Sequence, residues 1–317
     1  LNNIIYLCIT GLSLFLLGMR LLTIGLKHLI SKQLKARLKG LNINPFIGLL
    51  IGIITTMFLQ SSSSATIIMV GLVEAGVLSI YQVTPMIMGA NIGTTITAQL
   101  IAFRIGTIAP ILLLSGLICT IIKTKNKKLF LFGETMMGLG LLFIGINLLG
   151  EGLQPLQHII PLQRIMIEVG DRPFLGILMG FSTAAIIQSS STGVALLQSM
   201  TVSKSITVSA AIPILLGLNI GTCVTTLIAS INLSRAGKKA AIIHLIFNTL
   251  GAVIIYPFLQ PLNKIAIIIA PFNLARQLAH SHTLFNVATT IVLLPIFPLI
   301  VKCVNFIIKD TPYSFKK

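Results

Sequence analysis

Gln60-Ser61-Ser62-Ser63 returns 128 residues later as Gln188-Ser189-Ser190-Ser191. Asn91-Ile92-Gly93-Thr94 returns at the same offset as Asn219-Ile220-Gly221-Thr222, and Pro85 and Gly89 reappear as Pro213 and Gly217. Small residues and hydroxyls that pack helices together would explain one such cluster, but not two kept in register. Two polar clusters held in phase within an apolar chain mark an internal repeat with a polar site at its centre, the pattern of a membrane transporter.

The rest of the chain is built to avoid water. Of 317 residues, 55% are hydrophobic and 9% charged, with a mean hydropathy of +1.00, against about 25% charged in a soluble domain. Apolar stretches at roughly 4–26, 82–103, 107–122, 129–150, 207–231, 240–260 and 283–301 approach the ~20 residues that span a bilayer. The first is too long for a cleaved signal peptide and leads into a basic loop instead of a cleavage site. The chain begins at Leu1, as expected of a sequence trimmed at its start. Cys8, Cys119, Cys223 and Cys303 lie far apart with no CxxC spacing and read as small apolar helix residues.

A net charge of +17 does not imply nucleic acid here, because the basic residues fall in short loops between apolar segments. Lys27, Lys32, Lys35, Arg37 and Lys39 follow the first span, and Lys123, Lys125, Lys127 and Lys128 follow the third. Arg235, Lys238 and Lys239 form a third group, and Lys302, Lys309, Lys316 and Lys317 a fourth. Placing all four in the cytoplasm satisfies the positive-inside rule, with Arg20 snorkelling from the inner end of the first span. The N-terminus is then outside, the C-terminus cytoplasmic, and the basic loops face anionic lipids of the plasma membrane.

That topology requires segments 45–79 and 173–205 to enter the membrane, turn at their serines and leave on the same side. Pro45 and Pro173 mark the starts of their first arms. Gly18, Leu21, Leu22 and Gly25 match Gly145, Leu148, Leu149 and Gly152 at an offset of 127. Each unit therefore reads span, re-entrant hairpin, span, span. Three crossings per unit is odd, so the second copy is expected upside down. The expected fold is an all-α polytopic membrane protein: an inverted repeat with two re-entrant hairpins and broken helices. Its units are 1–128, 129–260 and a remainder, 261–317. In that remainder 262–282, with Arg276, His280 and His282, stays outside before a last span and a cytoplasmic tail.

At each tip the second half-helix presents free N–H groups and the positive end of its dipole. Ser62, Ser63 and Ser64, with Ser190, Ser191 and Thr192, add hydroxyl donors suited to a tetrahedral oxyanion such as phosphate. Asn-Ile-Gly-Thr is expected to interrupt its spans and free carbonyls. With Gln60, Ser61, Asn91, Thr94 and Thr95, and Gln188, Ser189, Asn219, Thr222 and Thr225, it would offer oxygens to sodium. His244 and Asn248, like His282 and Asn286, share a helical i, i+4 spacing and read as interhelical hydrogen-bonding pairs. Glu74 reads as a solvated residue near the base of the first hairpin, its counterpart being Val202.

These motifs resemble the type II sodium/phosphate cotransporter family, whose hallmark is a repeated Gln-Ser-Ser-Ser. The resemblance runs through Phe15 to Leu22, Gln60 to Thr66, Gly89 to Thr95, Gly138 to Phe143, Gln188 to Ser191 and Gly217 to Thr222, in the manner of a bacterial membrane domain. It implies sodium-coupled import of inorganic phosphate by alternating access, with sodium as coupling ion and no cofactor. It also implies a cytoplasmic phosphate-uptake regulator as partner, since the sequence ends at Lys317 without the helical domain that relatives often carry.

Other readings remain at this stage: a carrier of another small oxyanion or dicarboxylate, or a phosphate sensor that transports nothing. A dicarboxylate carrier usually places a positive side chain at its site, whereas here every Arg and Lys maps to a loop or span end. An intramembrane serine hydrolase is disfavoured, because the serines are duplicated while no histidine repeats at their offset.

Overall fold

The computed structural model describes residues 2–27, 44–103, 108–122, 127–155 and 168–308, and no strand occurs among them. Lys32, Lys35, Arg37, Lys39, Arg104, Lys123, Lys125, Arg164, Lys309, Lys316 and Lys317, on which much of the loop-charge reading rests, lie outside the described residues. The first unit contains α1 (Asn2–Lys27), α2 (Pro45–Leu59), α3 (Ser62–Glu74), α4 (Ile80–Ala102) and α5 (Ala109–Ile121). The second contains α6 (Lys127–Leu153), α7 (Pro173–Ile187), α8 (Ser190–Val202), α9 (Val208–Ser230) and α10 (Arg235–Ile255). After a 3-10 turn at Tyr256–Phe258 come α11 (Leu259–Ile269), α12 (Leu274–Leu293) and α13 (Phe297–Ile307). Long apolar helices with many exposed apolar side chains make this a multi-pass membrane protein.

Each serine motif sits at the turn of a helical hairpin. Pro45 opens α2 behind an Asn44 cap whose Oδ1 accepts from Phe46 N at 2.7 Å. The helix stops where Gln60 adopts φ 52°, and α7 stops likewise at Gln188 with φ 56°. α2 packs on α4 through glycines: Gly52 lies against Met86, Gly89 against Leu49, and Gly93 against Ile53 and Thr56. Leu49 meets Gly89, while Ile53 and Thr56, further along α2, meet Gly93, further along α4, so the two helices run in the same direction. α3 must therefore carry the chain back from the tip to the start of α4. The second unit repeats this, with Gly180 against Ile214, Gly217 against Ile177 and Gly221 against Phe181. Arms of 15 and 13 residues reach about 20–22 Å, short of the ~30 Å hydrocarbon core.

The first helices of the two units run antiparallel. Gly18 of α1 meets Gly138 and Leu142 of α6, while Gly145 meets Gly11 and Phe15. Without side chains at these points the backbones approach closely, as small-residue faces allow in membranes. α5 packs on α6 through Gly116 and Gly140, but its 13 residues fall short of the full crossing expected for 107–122.

Two sequence expectations are corrected here. Asn-Ile-Gly-Thr does not break its helices: α4 and α9 run uninterrupted through Asn91 and Asn219 for 23 residues each. Gly93 and Gly221 make room for α2 and α7, and each Asn side chain finds a partner on another helix, so no backbone is freed. Nor does 262–282 form a separate outer segment holding His282. α12 already begins at Leu274, and His282 is fully buried within it. The stretch expected as a last span bends by 77° between α12 and α13, around Pro295 and Pro298. The sequence of α10 and α11 matches that of α12 and α13, His244, Phe247, Asn248, Pro257 and Lys264 answering His282, Phe285, Asn286, Pro295 and Lys302 in order and spacing, but Arg235–Ile269 runs on as one stretch without the sharp bend.

Glu74, at the exposed end of α3, does more than meet solvent. Ser234, the N-cap of α10, makes no capping bond of its own. Its N–H donates to both Glu74 carboxylate oxygens at 3.0 Å, and its hydroxyl to Oε2 at 2.5 Å. The Ser234 hydroxyl bond, followed by its backbone bond, holds the Glu74 carboxyl below its ordinary value. A lowered carboxylate stabilises the fold fully above the unfolded value of about 4.3 and loses that contribution as pH falls through the folded value. Glu74→Gln should therefore lower the melting temperature near neutral pH, with the difference from wild type shrinking below about pH 4. A difference independent of pH would show that the carboxylate does not act through its charge.

Candidate substrate and ion site

Both tips are built alike. Ser61 and Ser189 cap α3 and α8, their hydroxyls accepting from Ser64 N at 3.2 Å and Thr192 N at 3.3 Å. Gln60 and Gln188 hold the left-handed backbone that reverses each arm, two of the three non-glycine residues with positive φ among those described. The N–H groups of Ser62 and Ser63, and of Ser190 and Ser191, open the half-helices without intrahelical acceptors. The tips also touch: the Ser191 hydroxyl donates to the Gln60 carbonyl at 3.3 Å.

An open cavity of about 510 Å³ lies where they meet. The first hairpin lends Gln60, Ser61 and Ser64, and the second lends Ser189, Ser191 and Thr192. One wall is α1, through Leu16, Met19, Arg20 and Ile24. Arg20 thus belongs to the cavity, a correction to its reading as a residue snorkelling at a span end. Leu16, Arg20 and Ile24 recur every fourth residue, so the sequence could have placed Arg20 on one face with them. It could not show that the face meets the tips.

Next to it is a closed polar pocket lined by Ser62, Asn91, Thr94, Asn219, Thr222, His244 and Asn248. The Thr94 and Thr222 hydroxyls donate into their own helices, to Ala90 O at 3.0 Å and Leu218 O at 2.7 Å. Their lone pairs are thereby left for a cation. Asn91 donates to Asn248 Oδ1 at 2.7 Å and Asn219 to Asn286 Oδ1 at 3.0 Å. Asn248 and Asn286 in turn donate to the carbonyls of His244 and His282. These matched chains tie α4 to α10 and α9 to α12. Hard, neutral oxygens drawn from both units suit sodium. No cluster of three or more His, Cys, Asp or Glu occurs among the described residues.

The expected sets are therefore regrouped across the repeat. Ser64, Ser191 and Thr192 reach the open cavity, where Gln60, Ser61 and Ser189 from the sodium set join them. Asn91, Thr94, Asn219 and Thr222 come together in the closed pocket, with Ser62 from the phosphate set. Ser63, Ser190, Thr95, Gln188 and Thr225 line neither, and Thr95 donates to Ile92 O in its own helix. Sequence reasoning missed Arg20 as a lining residue; its interhelical reading of His244 and Asn248 agrees with the Asn91–Asn248 bond, but it did not place them at the closed pocket.

The two halves also differ. Gln60 is buried and its Oε1 accepts from Thr97 at 2.8 Å. Gln188 is exposed, and Thr225, at the position equivalent to Thr97, has a buried hydroxyl with no partner. One tip is latched to its neighbouring helix and the other is not.

Twin half-helix tips around one cavity, in a multi-pass helical protein, define a membrane protein with a duplicated polar site. A family model described as Na+/Pi-cotransporter matches residues 14–151 and 144–275, and the chain belongs to that family of transporters. It is 33% identical to the uncharacterized protein YqeW of Bacillus subtilis over 96% of this chain and 99% of that one. It is 23% identical to the "Putative inorganic phosphate export protein YjbB" of Escherichia coli, over 96% of this chain but 56% of the relative. The chain thus spans just over half of that relative's length. A 59-residue segment, 19% of this chain and 9% of the other, is 48% identical to the human sodium-dependent phosphate transport protein 2B. No solved structure matches.

Proposed function

We propose that the chain carries inorganic phosphate across the plasma membrane together with sodium, opening the tip cavity to each side in turn. The observation that carries this reading is the convergence of two half-helix N-termini and their hydroxyls, one from each copy, on a single cavity. Phosphate would bind there through Ser64, Ser191, Thr192 and the free N–H groups. Sodium would bind in the closed pocket through Ser62, Asn91, Thr94, Asn219 and Thr222. Antiparallel packing of α1 and α6 supports units inverted across the membrane, and the basic residues that follow the first span favour an outer N-terminus. The cavity, running along the second half of α1, then faces the cytoplasm. The unequal latches at Thr97 and Thr225 support one state of an exchange between two.

An inward sodium gradient drives symport inward, so import is the primary reading. Export is the second, favoured by the name that YjbB carries. Proteoliposomes separate them. Radiolabelled phosphate entering with an inward sodium gradient, and not with potassium, supports import. Loss of phosphate from loaded vesicles without inward sodium supports export. No phosphate flux under either condition would overturn the transport reading. Thr94→Ala should raise the half-saturating sodium concentration about two- to tenfold, the loss of one ligand, while Thr95→Ala leaves it unchanged. Equal sodium dependence in both variants would remove the closed pocket from the sodium path.

A further inference from the structure

Arg20 is the one formal charge on the wall of the open cavity, and no acidic residue lines that cavity. Its side chain is exposed and makes no hydrogen bond or ion pair within the described residues. A guanidinium beside hydroxyls and half-helix N-termini is a ready partner for an oxyanion, offering paired donors that neutral groups lack. The repeat alignment adds a second observation. Gly18 and Leu21 correspond to Gly145 and Leu148, so Arg20 corresponds to Asn147. Asn147 is likewise exposed on α6, two residues after a glycine buried in the α1–α6 contact.

We infer that Arg20 is the charged contact for a phosphate-like oxyanion in this cavity, and that the opposite-facing state has only the neutral Asn147 in its place. The inference rests on the alternating-access reading above. It makes the site asymmetric: the anion is held more tightly from the face toward which α1 ends. During import that is the release face, so cytoplasmic phosphate restrains turnover; during export it is the loading face.

The test is binding of radiolabelled phosphate to purified wild type, Arg20→Gln and Arg20→Lys, with sulfate, arsenate and succinate as competitors. Arg20→Gln is expected to weaken phosphate binding at least tenfold, with Arg20→Lys intermediate and half-saturating sodium unchanged in both. Size-exclusion profiles report folding, which an exposed side chain should not disturb. Half-saturation by phosphate should also differ between right-side-out and inside-out vesicles of wild type, and Arg20→Gln should abolish the difference. Equal phosphate affinity in wild type and Arg20→Gln would overturn the inference, as would equal half-saturation on the two faces of wild type. If wild type binds sulfate but not phosphate, and Arg20→Gln loses sulfate, the phosphate reading fails while the role of Arg20 stands. If wild type binds none of these anions, both fail.

Discussion

Ser191→Ala is expected to reduce phosphate flux at least tenfold without loss of folded protein. Its hydroxyl lines the open cavity and also joins the two hairpins through the Gln60 carbonyl. Hydrogen bonds to charged groups contribute about 1.5–3 kcal/mol, and one such loss at ~1.4 kcal/mol per decade gives this effect. Ser63 holds the equivalent place in the first hairpin but does not line the open cavity. Under alternating access it takes the position of Ser191 in the opposite state. Ser63→Ala should therefore block flux as strongly, yet leave equilibrium phosphate binding in this state nearly unchanged, whereas Ser191→Ala loses both. Ser182→Ala, an exposed hydroxyl bonded within its own helix, serves as control. Normal flux in Ser191→Ala would remove the tip hydroxyls from the substrate path. Equal binding defects in the two variants would show that the hairpins do not exchange roles.

The duplicated motif was legible because it is local and kept in phase: the tips, the short arms behind Pro45 and Pro173, and the helical class all follow from it. What was not legible depends on partners distant in sequence. Asn91 in a membrane helix reads as a break because nothing nearby can satisfy its amide; Asn248, 157 residues on, does so. Arg20 reads as a snorkelling residue because the sequence gives the stripe from Leu16 to Ile24 but not its neighbour. The second repeat, relating His244–Lys264 to His282–Lys302, was recognised in the sequence only at its His-x-x-Phe-Asn core. Extending that match to the prolines would have shown 273–307 to repeat 235–269, in place of one outer segment and one span. The split between cavity and pocket could not be foreseen, since it depends on which face of each hairpin meets the other unit.

Gly89→Ala should leave little folded protein, although it adds one methyl group far from any charge. A Cβ at Gly89 would lie 2.0 Å from the Leu49 carbonyl oxygen and 2.9 Å from the carbonyl carbon. These are backbone atoms of α2 that no rotamer change can move aside. Relief requires α2 to shift bodily from α4. That shift would also pull Gln60 from Thr97 and open the tip. Overpacking a close-fitted core typically costs about 1–3 kcal/mol even where side chains can yield, and here only backbone can. The match in the second unit makes this a paired prediction: at Gly217 the Cβ would lie 2.0 Å from Ile177 O, and Gly217→Ala should fail to the same degree. Gly71, which has nothing within 4 Å of an added Cβ, should accept alanine with no loss of stability. Fluorescence-detected size exclusion and thermal denaturation of the three variants provide the comparison. If Gly89→Ala is as stable as Gly71→Ala, the arms do not rest on their neighbouring helices as described. The parallel packing that forces α3 to return, and so makes each serine motif a tip, would fall with them.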